Sequence, residues 1–195
     1  MKEIFITSDF HFFHKNIITY CNRNYSLDSD GILKMNEDIL SEVDKLPSDC
    51  ILINNGDVFL NWTITPEQLK PLIDRMKNNN KELWFILGNH DRQIKHSKFF
   101  KQYETPYDAF IDLGFDRVFQ FPIVIDNFIL SHEPVYLSKK NNMVNLYGHM
   151  HDKDVNEDYF EGKKISLSNY YNVCWDRHHK ILKLSDLRKQ YESNI

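Results

Sequence analysis

The stretch Leu83-Trp84-Phe85-Ile86-Leu87-Gly88-Asn89-His90-Asp91 sets five apolar residues against an abrupt polar turn. So short and continuous a hydrophobic run has no room for helical periodicity. It reads as a buried strand that stops where a glycine lets the backbone turn sharply. Two earlier segments have the same construction: Ile4-Phe5-Ile6-Thr7 ends in Ser8-Asp9, and Cys50-Ile51-Leu52-Ile53 ends in Asn54-Asn55-Gly56-Asp57. Helical spacing lies between them. Ile32, Met35, Ile39, Val43 and Leu46 recur at intervals of three and four, and Pro66 opens a second amphipathic stretch through Leu69, Leu72, Ile73 and Met76. Strand, helix, strand, helix, strand predicts βαβ units and parallel pairing.

After residue 115 the pattern changes. Arg117 to Gln120, Phe121 to Ile125 and Phe128 to Ser131 are short strand candidates, with hairpins expected across Pro122 and across the Asp126-Asn127 turn. Val144-Asn145-Leu146-Tyr147 leads into Gly148-His149-Met150-His151, and further strands are expected at Ile165 to Ser168 and Asn172 to Trp175, before an amphipathic or extended tail. Lys95, Lys98 and Lys101 around Phe99-Phe100 read as an amphipathic helix. With no internal repeat, low-complexity segment or linker, residues 1–195 read as one domain of α/β class, two sheets packed on each other with helices outside.

At 195 residues, 42% hydrophobic and 14% aromatic, the chain can build a substantial core, which excludes a disordered tail. Acidic residues number 28 against 24 basic ones, for a net charge of −4, and no basic block marks a nucleic-acid footprint. No apolar run approaches the ~20 residues of a membrane span, and the first nine residues turn polar too early for a signal peptide. The expectation is a cytoplasmic protein without a membrane partner. Cys21, Cys50 and Cys174 are odd in number and widely spaced, each in or beside an apolar stretch, which suits reduced core thiols.

In open α/β sheets, reactive groups gather outside the carboxyl ends of the strands. The polar ends here supply Asp9, His11, Asp57, Asn89, His132, His149 and His151: two carboxylates, one amide and four imidazoles. Gly56, Gly88 and Gly148 directly precede Asp57, Asn89 and His149. Asp9 with His11, and His149 with His151, are two apart, so a locally extended chain projects both members of a pair to one side. A mixed oxygen and nitrogen set without thiolate suits manganese, iron or zinc in a catalytic setting. Seven ligands exceed the needs of one ion. Shared between two ions about 3.5–4 Å apart, with one carboxylate bridging, they make a two-metal arrangement for displacement at phosphorus. Ser131 beside His132 does not make a triad, because strand neighbours face opposite sides and no Gly-x-Ser-x-Gly elbow occurs.

Taken together and in order, Asp9-x-His11, Gly56-Asp57, Gly88-Asn89-His90-Asp91, His132 and Gly148-His149-x-His151 resemble the five signature blocks of the calcineurin-like metallophosphoesterases. The opening Ser-Asp-Phe-His-Phe-Phe-His-Lys-Asn-Ile-Ile run further resembles small, uncapped members found in bacteria and their phages. The resemblance covers residues 9–151 and implies a four-layer α/β/β/α fold, a β-sandwich of two mixed sheets flanked by helices. It implies that Asp9, His11, Asp57 and His151 hold one divalent ion, and Asp57, Asn89, His132 and His149 a second, with Asp57 bridging. Manganese is favoured as the cofactor, with iron or zinc as alternatives.

By the same resemblance, a hydroxide shared between the ions attacks phosphorus and His90 protonates the leaving group, its ring oriented by Asp91. His14, Asn16, Arg23 and Arg92 lie beside signature blocks and are candidates to bind the substrate's phosphate or base. The acidic balance of a short uncapped chain favours small phosphodiesters or nucleotide-like substrates over long nucleic acid. A nuclease, a protein or phosphomonoester phosphatase, and a non-catalytic metal-binding scaffold stand as alternatives, and oligomeric state is left open. His96, His178 and His179 match no block and are read as surface or local structural residues.

Overall fold

The computed structural model describes residues 2–60, 63–98 and 100–192, the side chains of Lys95 and Glu192 excepted. The continuous apolar runs of the first strands are explained by two layers of core, one on each face. In β1 (Ile4–Thr7), β2 (Ile51–Asn54) and β3 (Glu82–Ile86), one face presents Phe5, Leu52, Leu83 and Phe85. These pack against α2 (Ser29–Asp44), α3 (Pro66–Lys77) and α4 (Pro106–Leu113), through Met35, Ile39, Leu69, Ile73 and Phe110. The other face presents Ile6, Ile53 and Ile86, which meet Phe128, Leu130, Val144 and Leu146 of a second sheet. A period of two thus gives each strand both of its buried faces.

The first sheet has the order β4-β3-β2-β1-β9, with β4 (Arg117–Phe119) parallel to β3, and β9 (Leu182–Lys183) antiparallel to β1. The second has the order β5-β6-β7-β8, built from Ile123–Ile125, Phe128–Ser131, Val144–Tyr147 and Tyr170–Asn172. Only its first pair is antiparallel. The fold is therefore two packed mixed sheets flanked by helices. The outer face of the second sheet is covered by Leu137, Val155, Phe160 and Ile165 from loops that include two single-turn 3-10 helices. Local chemistry sets the helix starts: Asp28 caps α2, and capping boxes at Thr65/Gln68 and Thr105/Asp108, each followed by proline, open α3 and α4. Among the described residues no helix is long and apolar enough to cross a membrane.

Four expectations are corrected. No hairpin forms across Pro122, because β4 joins the edge of the first sheet while β5 opens the second; proline, lacking an N–H, lies in the crossing between them. Residues Leu167–Asn169 form a 3-10 turn rather than a strand. The strand expected from Asn172 to Trp175 ends at Asn172, whose side-chain oxygen accepts from the Cys174 N–H at 2.8 Å, and Trp175 opens the short helix α5 (Trp175–His178). The amphipathic helix expected around Lys95 is a 3-10 helix, Asp91–His96, and Phe99 lies outside the described residues. The described part of the tail forms α6 (Leu184–Glu192), which adds Leu184 and Leu187 to the core between the sheets.

Candidate active site

Parallel pairing of β1, β2 and β3, and of β6 and β7, brings the carboxyl ends of five strands to one edge of the sandwich. The loops after β1 and β2 zip together there: the N–H groups of Asp9, His11 and Phe12 donate to the carbonyls of Gly56, Asp57 and Val58 at 2.8–3.0 Å. The seven residues singled out at the strand ends all reach this edge. Asp9 Oδ1 lies 3.7 Å from His11 Nε2 and 4.0 Å from His151 Nε2. Asn89 Oδ1 lies 2.8 Å from His132 Nε2 and 3.0 Å from His149 Nδ1. Between the groups stands Asp57, whose Oδ2 is 3.9 Å from His11 Nε2 and 3.4 Å from His132 Nε2.

The extended geometry expected for Asp9-x-His11 and His149-x-His151 is not the one observed. Asp9, His11, Asp57, His149 and His151 all adopt left-handed backbone, with φ of 59°, 52°, 54°, 68° and 53°. Non-glycine residues pay on the order of 1–2 kcal/mol for this conformation, so the surrounding structure must hold it. In the first pair the two left-handed turns flank Phe10, which drives its ring fully into the core while both polar side chains stay on the site.

Three of the candidate donor atoms are buried with no hydrogen-bond partner among the described residues. Asp9 Oδ2 accepts from Ser8 Oγ, from the Cys174 thiol at 3.2 Å and from the His149 N–H at 2.9 Å, whereas its Oδ1 and both ring nitrogens of His11 are buried with no hydrogen-bond partner. His132 donates from Nδ1 to the Asn55 carbonyl at 2.9 Å, which turns the lone pair of Nε2 toward Asn89 Oδ1. Two acceptors facing each other call for a cation. Asp9, His11 and His151, and likewise Asp9, Asp57 and His132, present donor atoms within 4.8 Å of one another, a spacing that a shared ion satisfies. Burial, and then the Asp91 and Asp9 carboxylates, push the Asp57 carboxyl far above its ordinary range, so the cluster lacks positive charge. Burial also lowers His11, to about 4, keeping it neutral as a ligand must be.

Other sequence expectations fare differently. Asp91 does not orient the His90 ring: its carboxylate accepts from the backbone N–H groups of Asp57, Gly88 and Val58 at 2.6, 2.7 and 3.3 Å, stapling two loops together. Burial lifts Asp91 to about 7, against the pull of those three donors. His90 itself stands at the mouth, its side chain 34% exposed and its Nε2 3.8 Å from Asp57 Oδ2, with burial lowering its pKa. Arg23 is not placed to meet a substrate. It is 5% exposed, and its donors go to the Asp9 and Phe10 carbonyls, Met35 and Asp176. His14 remains at the mouth with its ring 5.6 Å from that of His11, Asn16 is exposed on α1 (Lys15–Tyr20), and Arg92 is exposed with Nη1 3.9 Å from Glu133. Asp176 escaped the sequence reading altogether. Its one signal was a carboxylate set directly after the apolar Val173-Cys174-Trp175.

The model of the calcineurin-like phosphoesterase family matches residues 2–183. The chain belongs to the calcineurin-like phosphoesterases. Members of this family are metal-dependent hydrolases of phosphoesters. An uncharacterised protein of Methanocaldococcus jannaschii is 33% identical over 93 residues, which cover 47% of this chain and 48% of that protein, so the match spans about half of each. Among solved structures, a protein of unknown function from Aquifex aeolicus superposes with a TM-score of 0.63 at 18% identity, covering 97% of this chain and 100% of that one, a likeness of fold. A nuclease of Pseudomonas putida matches with a TM-score of 0.49 at 24% identity over 76% of this chain and 61% of its own.

For this calcineurin-like phosphoesterase the glycines matter chiefly through the side chain they lack. Gly56 needs its φ of 103°, but a Cβ at Gly148 would press on Ser8 Oγ and on Asp9 Oδ2, and one at Gly88 on the Asp57 carboxylate. Gly148→Ala is therefore expected to cost about 1–3 kcal/mol through overpacking. Thermal denaturation should show a melting point lower by roughly 2–4 °C for each of those kcal/mol. An unchanged melt would remove the close approach of the two sheets from the account.

Proposed function

We propose that this chain is a two-metal phosphodiesterase acting on small or nucleotide-like phosphodiesters. The observation that carries the reading is Asp57 Oδ2, set between the His11 and His132 nitrogens as a bridging carboxylate would be. Asp9, His11, Asp57 and His151 would hold one ion, and Asp57, Asn89, His132 and His149 the other. When bound, two divalent ions, with manganese favoured over iron or zinc, supply the charge that draws phosphoryl oxygens and acidifies water. His90 would give a proton to the leaving oxygen, a role supported by its partly exposed ring beside Asp57. Asp91 acts through the backbone, keeping the loops of Asp57 and Asn89 in register. His14 and Arg92 remain at the rim as groups that can meet the rest of the substrate.

Glu133 supports the preference for diesters. Its carboxylate follows His132 in sequence and lies 3.9 Å from rim residue Arg92, and we take it as a rim charge that would repel the second charge of a phosphomonoester. Glu133→Gln should raise the monoester rate relative to the diester rate about 3–10-fold, as expected for one partly exposed charge of roughly 1 kcal/mol. An unaltered ratio removes Glu133 from the specificity.

The test of the function itself is turnover of bis(p-nitrophenyl) phosphate by metal-free protein after addition of Mn²⁺, Fe²⁺ or Zn²⁺. Phosphomonoesters, cyclic nucleotides and single-stranded nucleic acid are run beside it. Metal-dependent diester hydrolysis is the expected outcome. No turnover of any substrate with two ions demonstrably bound would make the fold a scaffold instead.

A further inference from the structure

Residues 172–176 lie beyond every segment that supplies a candidate ligand, yet they press on one half of the site. Asn172 donates from Nδ2 to the His151 and Lys153 carbonyls at 2.9 and 2.8 Å, and the Trp175 N–H donates to the Ser8 carbonyl at 3.0 Å. Asp176 has a side chain only 2% exposed. Its Oδ2 accepts from His151 Nδ1 at 2.8 Å and from Arg23 Nη2 at 2.9 Å, while its Oδ1 accepts from Arg23 Nε at 2.6 Å. The same guanidinium donates to the carbonyls of Asp9 and Phe10, each at 2.8 Å. Support for His132 comes from elsewhere, through the Asn55 carbonyl.

We propose that Asp176, braced by Arg23, is the positioning residue for the ion held by Asp9, His11, Asp57 and His151. This inference rests on the two-ion reading above. A carboxylate behind a ligating imidazole fixes its tautomer, stops its rotation and strengthens the opposite nitrogen as a donor. Here the proton is fixed on His151 Nδ1, and Nε2 is left to face Asp9 Oδ1 at 4.0 Å. A buried carboxylate needs a partner of its own, and the bidentate guanidinium provides one with two N–H groups. Arg23 has donors left over, and these hold the backbone of Asp9. One side chain therefore registers two ligands that lie far apart in sequence, His151 through Asp176 and Asp9 directly. The two ions are consequently supported by different parts of the chain, the first by residues 23 and 172–176, and the second by Asn55.

The test is a Mn²⁺ titration of metal-free protein, followed by metal count and by the manganese EPR signal, comparing wild type with Asp176→Asn. Affinity for one ion should fall about 10–100-fold while the other is unchanged, so that two overlapping steps separate. At half loading the spectrum should change from a spin-coupled pair to isolated manganese. Asp176→Asn leaves Arg23 buried without its counter-charge, so the double variant Arg23→Gln with Asp176→Asn is measured as well, and circular dichroism verifies its fold. Wild-type affinities at both ions in either folded variant overturn the proposal, and so does an equal loss at both. A wild type that binds fewer than two ions overturns the two-ion reading itself, which separates the two failures.

Discussion

Asp57→Asn is expected to release both ions and to lower diester turnover by at least about 10³-fold, because electrostatic neutralisation is the largest contribution such a site can make. The substitution keeps the shape of the side chain, and its Oδ1 can still accept the His90 N–H that now lies at 3.0 Å. What it removes is the charge at Oδ2, the atom shared by the His11 and His132 groups. The folded apoprotein should not suffer. Burial and neighbouring carboxylates already disfavour ionised Asp57, so a neutral amide relieves a repulsion that only cations would otherwise offset. Metal counting decides the matter: loss of one ion with retention of the other refutes the bridge.

His90→Ala should lower turnover by two to four orders of magnitude with both ions still bound, the usual cost of removing a general acid. Alanine keeps the backbone N–H that holds Asp57 Oδ1, so the effect isolates the ring. The loss should be large for an alkoxide leaving group and small for p-nitrophenolate, which departs without help. Equal losses on both substrates would assign the ring to binding rather than proton transfer, and near wild-type rates on the poor leaving group would end its catalytic role.

The ligand candidates were readable in the sequence because the relevant chemistry lies in side-chain type and in the ends of apolar runs. β1 and the helix opened by Pro66 were legible for the same reason: a β-branched run and a proline-led amphipathic pattern are local signals. What stayed hidden depends on distant partners. Nothing in Arg117-Val118-Phe119 says that it will pair with β3 rather than fold back across Pro122. Asp91 sits beside His90 in sequence, but its acceptors are claimed by backbone amides, two of them from a loop more than thirty residues earlier. Arg23 read as a candidate for the substrate's phosphate or base, but Asp9, Phe10 and Asp176 close round it. The left-handed backbone at five of the seven donors likewise follows from the packing of one loop on another, which no spacing rule encodes.

Both packed sheets contribute to each group of donors: Asp9, His11, Asp57 and Asn89 follow strands of the first sheet, while His132, His149 and His151 follow strands of the second. In the proposed assignment every ion therefore has ligands on both sides of the seam and acts as a rivet through it. Ligand binding to the native state alone adds about 2.7 kcal/mol at a hundred times Kd, and for this molecule that free energy would resist the sliding apart of two hydrophobic faces rather than the fraying of any one strand. The catalytic centre and the mechanical joint of the sandwich would then be the same few atoms.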